Sequence, residues 1–167
     1  MRIYCIGYMG SGKSTLGKEL SMKLKYHFID LDKEIEKETG KTIDLIFDKE
    51  GEKQFRIYEK QLLRETEISN NIVVATGGGT PCFLGNMDFM NQHGVTVYLK
   101  MSAGALFRRL LRDKAGRPLL KDMSDVDMME QIMVHLAKRA PFYSNAKYVV
   151  DVEERGIEKL SRLFYLD

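Results

Sequence analysis

Nine residues near the start of the chain, Gly7-Tyr8-Met9-Gly10-Ser11-Gly12-Lys13-Ser14-Thr15, have the types and spacing needed to hold a chain of phosphates. Glycines let the backbone bend closely around an anion, and the loop N–H groups then point inward. In the pattern G-x-x-x-x-G-K-[ST], Lys13 reaches the β- and γ-phosphates and the Ser14 hydroxyl is a ligand for Mg²⁺. The flanks give the pattern its weight. It follows the apolar run Ile3-Tyr4-Cys5-Ile6 and precedes Leu16, Leu20 and Leu24 at helical spacing. The loop is therefore expected to join a strand to a helix whose positive end favours an anion. The bland alternative is an ordinary glycine-rich turn; the strand–loop–helix context favours a bound nucleotide, ATP or GTP.

Five further groups could do chemistry. Phe28-Ile29-Asp30-Leu31-Asp32 ends a β-rich run; in extended chain its two carboxylates share a face while Leu31 turns to the core. One carboxylate then suits a metal shell and the other a hydroxyl substrate, although Asp32 is also a good cap for a helix over about 33–39. Arg56 and Glu59 stand at i and i+3 on a helix starting near Gly51, either as a solvated ion pair or with Glu59 aiming the guanidinium at a substrate carboxylate. Thr76-Gly77-Gly78-Gly79-Thr80-Pro81 is a second glycine loop, whose three glycines imply close backbone approach or unusual dihedrals. Residues 112–123, with Lys114, Arg117 and Pro118, read as a mobile basic lid over polyphosphate or as a plain basic surface loop. Arg139 is expected in the last turn of a helix over about 125–139, N-capped by Ser124, where the dipole favours a cation anyway.

These residues need a frame. Apolar, β-rich runs recur at about 2–7, 27–31, 71–75, 95–100 and 147–151, separated by stretches long enough for crossover helices. The fold class is α/β, a three-layer α/β/α arrangement around a central five-stranded parallel sheet. Ligands in such sheets bind at the carboxyl ends of the strands, where the glycine loops and the Asp pair fall. Length favours one domain over 1–167. A net charge of +2 gives no support to a nucleic-acid partner. No run approaches the ~20 apolar residues of a membrane span, and a strand at the N-terminus is expected to leave no room for a cleavable signal. Cys5 and Cys82 make no metal-spaced pair, so a reduced, cytoplasmic setting is the default. His27, His93 and His135 share no spacing and are assigned no chemistry.

Taken together, the glycine loop through Gly17, Phe28-Ile-Asp-Leu-Asp32, Ile46-Phe47 with Gly51-Glu52 to Phe55-Arg56, Ala75-Thr-Gly-Gly-Gly79, Arg117-Pro-Leu-Leu120 and Arg139-Ala-Pro-Phe-Tyr143 resemble the shikimate kinase family over essentially the whole chain. That resemblance implies a P-loop kinase fold of the nucleoside-monophosphate-kinase type. It also implies transfer of the γ-phosphoryl of ATP to the 3-hydroxyl of shikimate, a step toward chorismate and the aromatic amino acids. It assigns Gly10, Ser11, Gly12, Lys13, Ser14 and Thr15 to ATP, Ser14 and Asp30 to Mg²⁺, and Asp32, Arg56, Gly78 and Arg139 to shikimate. Lys13, Asp32 and Arg117 carry the catalysis, Glu59 supports Arg56, and Arg155 contacts ATP. The pattern loosens around adenine, where Arg109 and Arg112 both fit the arginine before the lid and Ile157 stands where some relatives have proline. A monomer is expected. The rival readings are a gluconate kinase, a nucleoside-monophosphate kinase, and a P-loop module that binds nucleotide without phosphorylating a small molecule.

Overall fold

The computed structural model describes residues 1–113, 120 and 122–164. Its five strands are β1 (Arg2–Ile6), β2 (His27–Asp30), β3 (Ile72–Ala75), β4 (Val95–Lys100) and β5 (Tyr148–Asp151). They form one sheet in the order β2-β3-β1-β4-β5, and every pairing is parallel. The helices among the described residues are α1 (Lys13–Leu24), α2 (Leu31–Thr39), α3 (Ile43–Lys49), α4 (Gly51–Glu65), α5 (Asn86–His93), α6 (Ala103–Arg112), α7 (Asp125–Tyr143) and α8 (Gly156–Leu163).

The side-chain alternation of β1 divides the interior in two. Ile3 and Cys5 pack on one face with Leu20, Leu106, Leu110, Ile132 and Leu160, from α1, α6, α7 and α8. Tyr4 and Ile6 pack on the other with Leu31, Ile35, Phe55, Leu63 and Met90, from α2, α4 and α5. A strand buried on both faces reads as a continuous apolar run, which is why β1 stands out in the sequence. The α/β/α layering is thus the expected one.

Register sets the level of the site. Asp30 lies opposite Ala75, and Ala75 opposite Cys5. The first and second glycine loops and the Asp pair therefore leave the sheet side by side at its carboxyl edge. Thr76 fastens the second loop to the central strand: its N–H and its hydroxyl both donate to the carbonyl of Cys5, at 3.2 and 3.1 Å.

Three local expectations change. The strand β2 stops at Asp30, which is the N-cap of α2 and accepts from the Lys33 N–H at 3.4 Å. Asp32 is therefore the second residue of the helix, neither the last of the strand nor the cap. In α4 helical spacing predicts a core face of Phe55, Tyr58 and Leu62; the buried stripe is instead Phe55, Glu59 and Leu63, with Tyr58 and Leu62 at its margin. Helix α7 passes Arg139 and continues through Pro141 to Tyr143. The Tyr143 side chain is fully buried in the second core, and that packing outweighs the backbone hydrogen bond that Pro141 cannot donate.

Candidate active site

The first glycine loop wraps the head of α1. Gly10 and Gly12 take φ of 79° and 94°, the left-handed region that a side chain would strain. Gly12 is also the N-cap, so no side chain occupies the helix end and its first N–H groups are left to a ligand. A cleft of about 420 Å³ opens there, lined by Gly10, Gly12, Lys13, Ser14, Thr15, Asp30, Asp32 and Gly78 among others. Lys13 Nζ donates to the carbonyls of Gly7 and Tyr8, both at 2.9 Å, which leaves one of its three protons free for a phosphate oxygen. Burial pushes its pKa down to about 8, against the pull of the Asp32 carboxylate. Ser14 Oγ donates to Asp30 Oδ2 at 2.6 Å, bringing two hard oxygen ligands together at the cleft wall.

Asp32 faces the same cleft. Burial raises its carboxyl to about 6; Lys13 opposes the rise, Glu59 and Asp30 add to it, and Arg56 opposes it more weakly. Its neighbour Glu59 is completely buried and accepts from Arg56 Nη1 at 2.9 Å. Arg56 also donates through Nε and Nη2 to Glu52, at 3.2 and 3.0 Å. Its guanidinium lies 4.1 Å from the ring of Phe83. With a side chain 11% exposed, this arginine is held in place, and the exposed i,i+3 ion pair is not what α4 builds.

The three glycines after Thr76 have separate tasks. None has a positive φ, so unusual dihedrals are not their purpose. A methyl on Gly77 would lie 2.9 Å from Glu59 Oε1 and 3.1 Å from Asp32 Oδ1. One on Gly78 would lie 3.2 Å from Arg139 Nη1 and 3.3 Å from the N–H nitrogen of Met9; one on Gly79 would lie 2.6 Å from Arg56 Nη2. Each glycine thus clears space for a different polar side chain. Gly78 is fixed by Tyr143, whose hydroxyl donates to its carbonyl at 2.5 Å. Arg139 extends from α7 over the ring of Tyr8, 5.3 Å from its centroid.

Lys13, Asp30, Asp32, Arg56, Gly78 and Arg139 thus converge on one edge of the sheet. Arg109 and Arg112 both line the cleft, and Arg109 Nη1 donates to the Gly10 carbonyl at 3.3 Å. Arg155 is exposed at the head of α8 and does not line it. Arg117, and with it most of the proposed lid at 112–123, lies outside the described residues. The sequence reading left out Tyr143 and Thr80. Tyr143 closes the Arg-Ala-Pro-Phe-Tyr motif and lies four residues, one helical turn, beyond Arg139, a spacing that offered a signal.

A sequence profile of shikimate kinases matches residues 9–164. A shikimate kinase of Bacteroides thetaiotaomicron is 46% identical over 154 residues, covering 92% of this chain and 88% of its own. The crystal structure of shikimate kinase from that species superposes with a TM-score of 0.94 at 43% identity, covering 99% of both chains. A shikimate kinase from Acinetobacter baumannii, solved in complex with shikimate, gives 0.87 at 36% identity, with 98% of this chain and 90% of that one covered. With its glycine loop, partly buried Asp32 and two arginines set in that fold, the chain belongs to the shikimate kinase family.

Proposed function

We propose that this enzyme, an ATP-dependent kinase by family, phosphorylates the 3-hydroxyl of shikimate through the residues gathered at the carboxyl edge of its sheet. The observation that carries the reading is a partly buried Asp32 with a raised carboxyl, gathered with Arg56 and Arg139 around the second glycine loop and beside Lys13. Two guanidinium groups suit a small acceptor with one carboxylate, which their planar forks bind in bidentate fashion. Asp32 accepts hydrogen bonds from the acceptor's hydroxyls and takes the nucleophile's proton as the phosphoryl group transfers. Lys13 and the N–H groups of residues 10–15 hold the donor phosphates and stabilise charge on the γ-phosphoryl oxygens. Arg117 is given the same task on its sequence match alone.

Ser14 and Asp30 fit Mg²⁺: a hydroxyl and a carboxylate 2.6 Å apart at the phosphate cleft are the sparse oxygen set that this ion takes beside substrate phosphates. Bound there, the ion supplies neutralisation of the β- and γ-oxygens. We further assign the enzyme to the cytoplasm as a monomeric single domain; two unpaired cysteines suit that compartment, and among the described residues no helix is long and apolar enough to cross a membrane.

ADP release, followed with shikimate, gluconate, CMP or no acceptor, tests the reading. Release should rise with shikimate alone, and a rate indifferent to shikimate would overturn the proposal. Arg56→Lys should raise KM for shikimate by about tenfold or more, because an ammonium cannot form the bidentate pair; an unchanged KM would reduce Arg56 to a structural ion pair.

The pH profile follows from the two shifted groups. Asp32 must be ionised to accept a proton and Lys13 must be protonated to hold phosphate. The profile of kcat/KM should therefore fall below about pH 6 and above about pH 8. An acid limb near 4 would deny Asp32 this role.

A further inference from the structure

The second glycine loop ends in a threonine that the reaction as described does not use. Thr80 is completely buried, and its hydroxyl meets Glu59 Oε1 at 2.5 Å. A carboxylate only accepts, so Thr80 is the donor. The other oxygen of Glu59 accepts from Arg56 Nη1. Each oxygen of one buried carboxylate thus has a single named partner of a different kind: Thr80 from the loop, Arg56 from its own helix. Thr80 itself cannot drift. Its N–H donates to the Gly77 carbonyl at 3.2 Å and its carbonyl accepts from Asn86 Nδ2 at 3.1 Å. Asn86 Oδ1 in turn accepts from Arg64 Nη1 at 3.3 Å, and the Arg64 guanidinium lies 3.9 Å over the ring of Phe89.

We infer that Thr80 is a positioning residue for the acceptor: its hydroxyl fixes the rotation of the Glu59 carboxylate and, through it, the direction of the Arg56 guanidinium. The geometry at Gly77 shows why such a lock is needed. The Cβ that Gly77 lacks would stand within 3.1 Å of Glu59 Oε1, Thr80 Oγ1 and Asp32 Oδ1 alike, so one hydroxyl and an oxygen of each carboxylate face the same small space. Like charges this close repel. Without a donor on Glu59 Oε1, the carboxylate relieves the repulsion by turning, and the guanidinium it holds turns with it. A buried acceptor stripped of its donor also loses its compensation for lost water.

The inference rests on Arg56 binding the acceptor's carboxylate, and the experiment separates the two claims. Steady-state kinetics are measured for Thr80→Val, Thr80→Ser, Arg56→Lys and the double variant Thr80→Val/Arg56→Lys. Thr80→Val keeps the shape and removes the donor; it should raise KM for shikimate about tenfold, with kcat and KM for ATP within twofold. Thr80→Ser should restore KM to within twofold of the natural enzyme. In the Arg56→Lys background Thr80→Val should add less than threefold, since its route runs through Arg56. A merely structural threonine would lower thermal stability and leave the split between the two substrates unchanged. Should Thr80→Val fail to fold, Thr80→Cys, a weaker donor of similar size, should give a smaller rise in the same direction. A KM for shikimate within twofold in the Val variant, or equal rises for Val and Ser, overturns the role of Thr80. An Arg56→Lys enzyme with normal KM overturns the carboxylate reading, and the inference falls with it.

Discussion

Asp32→Asn is expected to lower kcat by 10²- to 10⁴-fold and to raise the melting temperature of the same protein. The first effect is the ordinary contribution of a positioned base. The second follows from linkage. The Asp32 carboxyl sits near 6 in the fold against 3.8 for an unperturbed one, because burial disfavours its charge. The folded chain therefore binds this proton more tightly than the unfolded chain, and stability falls as pH rises from about 4 through 6. At pH 7 the charge is fully present, at a cost on the order of 2–3 kcal/mol at 1.36 kcal/mol per unit. A neutral amide removes it, so the melting temperature at pH 7 should rise on the order of 5 °C. The gain should shrink as pH is lowered toward 4, where the folded carboxyl is neutral and the unfolded one is about half protonated. Thermal melts at pH 7 and 4, paired with turnover, check both halves. A variant that is inactive and also less stable at pH 7 would mean that Asp32 is held mainly by its attraction to Lys13 and Arg56.

Gly79→Ala should separate acceptor binding from folding. Its backbone, at φ −92° and ψ −13°, suits alanine without strain. The added methyl would stand 2.6 Å from Nη2, 2.9 Å from Nη1 and 3.0 Å from Cζ of Arg56, with no backbone atom among these closest neighbours. The guanidinium has little room to retreat, being tied to Glu59 and Glu52 and packed on Phe83. It must therefore shift, and the proposed contact with the acceptor's carboxylate shifts with it. KM for shikimate should rise by about 10²-fold, near the ~3 kcal/mol upper end for a charged hydrogen bond. KM for ATP should stay within a few-fold and the melting temperature within a few degrees. Titration of shikimate against ADP formation, with a melt on the same sample, decides it. Unchanged affinity would show that Arg56 does not face the acceptor.

The sheet was legible because its strands are short apolar runs between punctuated helices, and each observed strand lies within a residue of the expected span. The glycine loop was legible because its chemistry is local. The tasks of the three later glycines were not, since each faces a side chain from elsewhere in the chain: Glu59 with Asp32, Arg139, and Arg56. Spacing reveals that backbone must come close; it does not reveal to what. Glu59 was legible as the partner of Arg56, yet its burial was not. It stands four residues from both Phe55 and Leu63, on the apolar stripe of α4, where a carboxylate is ordinarily excluded. A charge at an apolar position of a regular pattern was the available signal. Helix α7 misled at Pro141, because local propensity cannot weigh the tertiary packing of Tyr143.

Gly78 has one more consequence. Arg139 Nη1, the Met9 nitrogen and the Gly7 carbonyl oxygen all face the position of the methyl group that Gly78 lacks, at 3.2, 3.3 and 3.6 Å. The loop proposed to hold the donor and the cation proposed to hold the acceptor thus face one small space. A displacement of the glycine loop by nucleotide should therefore be felt at Arg139, and the two ligands are expected not to bind independently. Thermodynamics then imposes a symmetry: whatever factor one substrate applies to the affinity of the other, it receives back in equal measure. An inhibitor of either half of this site inherits that reciprocity, and its potency depends on how much of the opposite substrate is present.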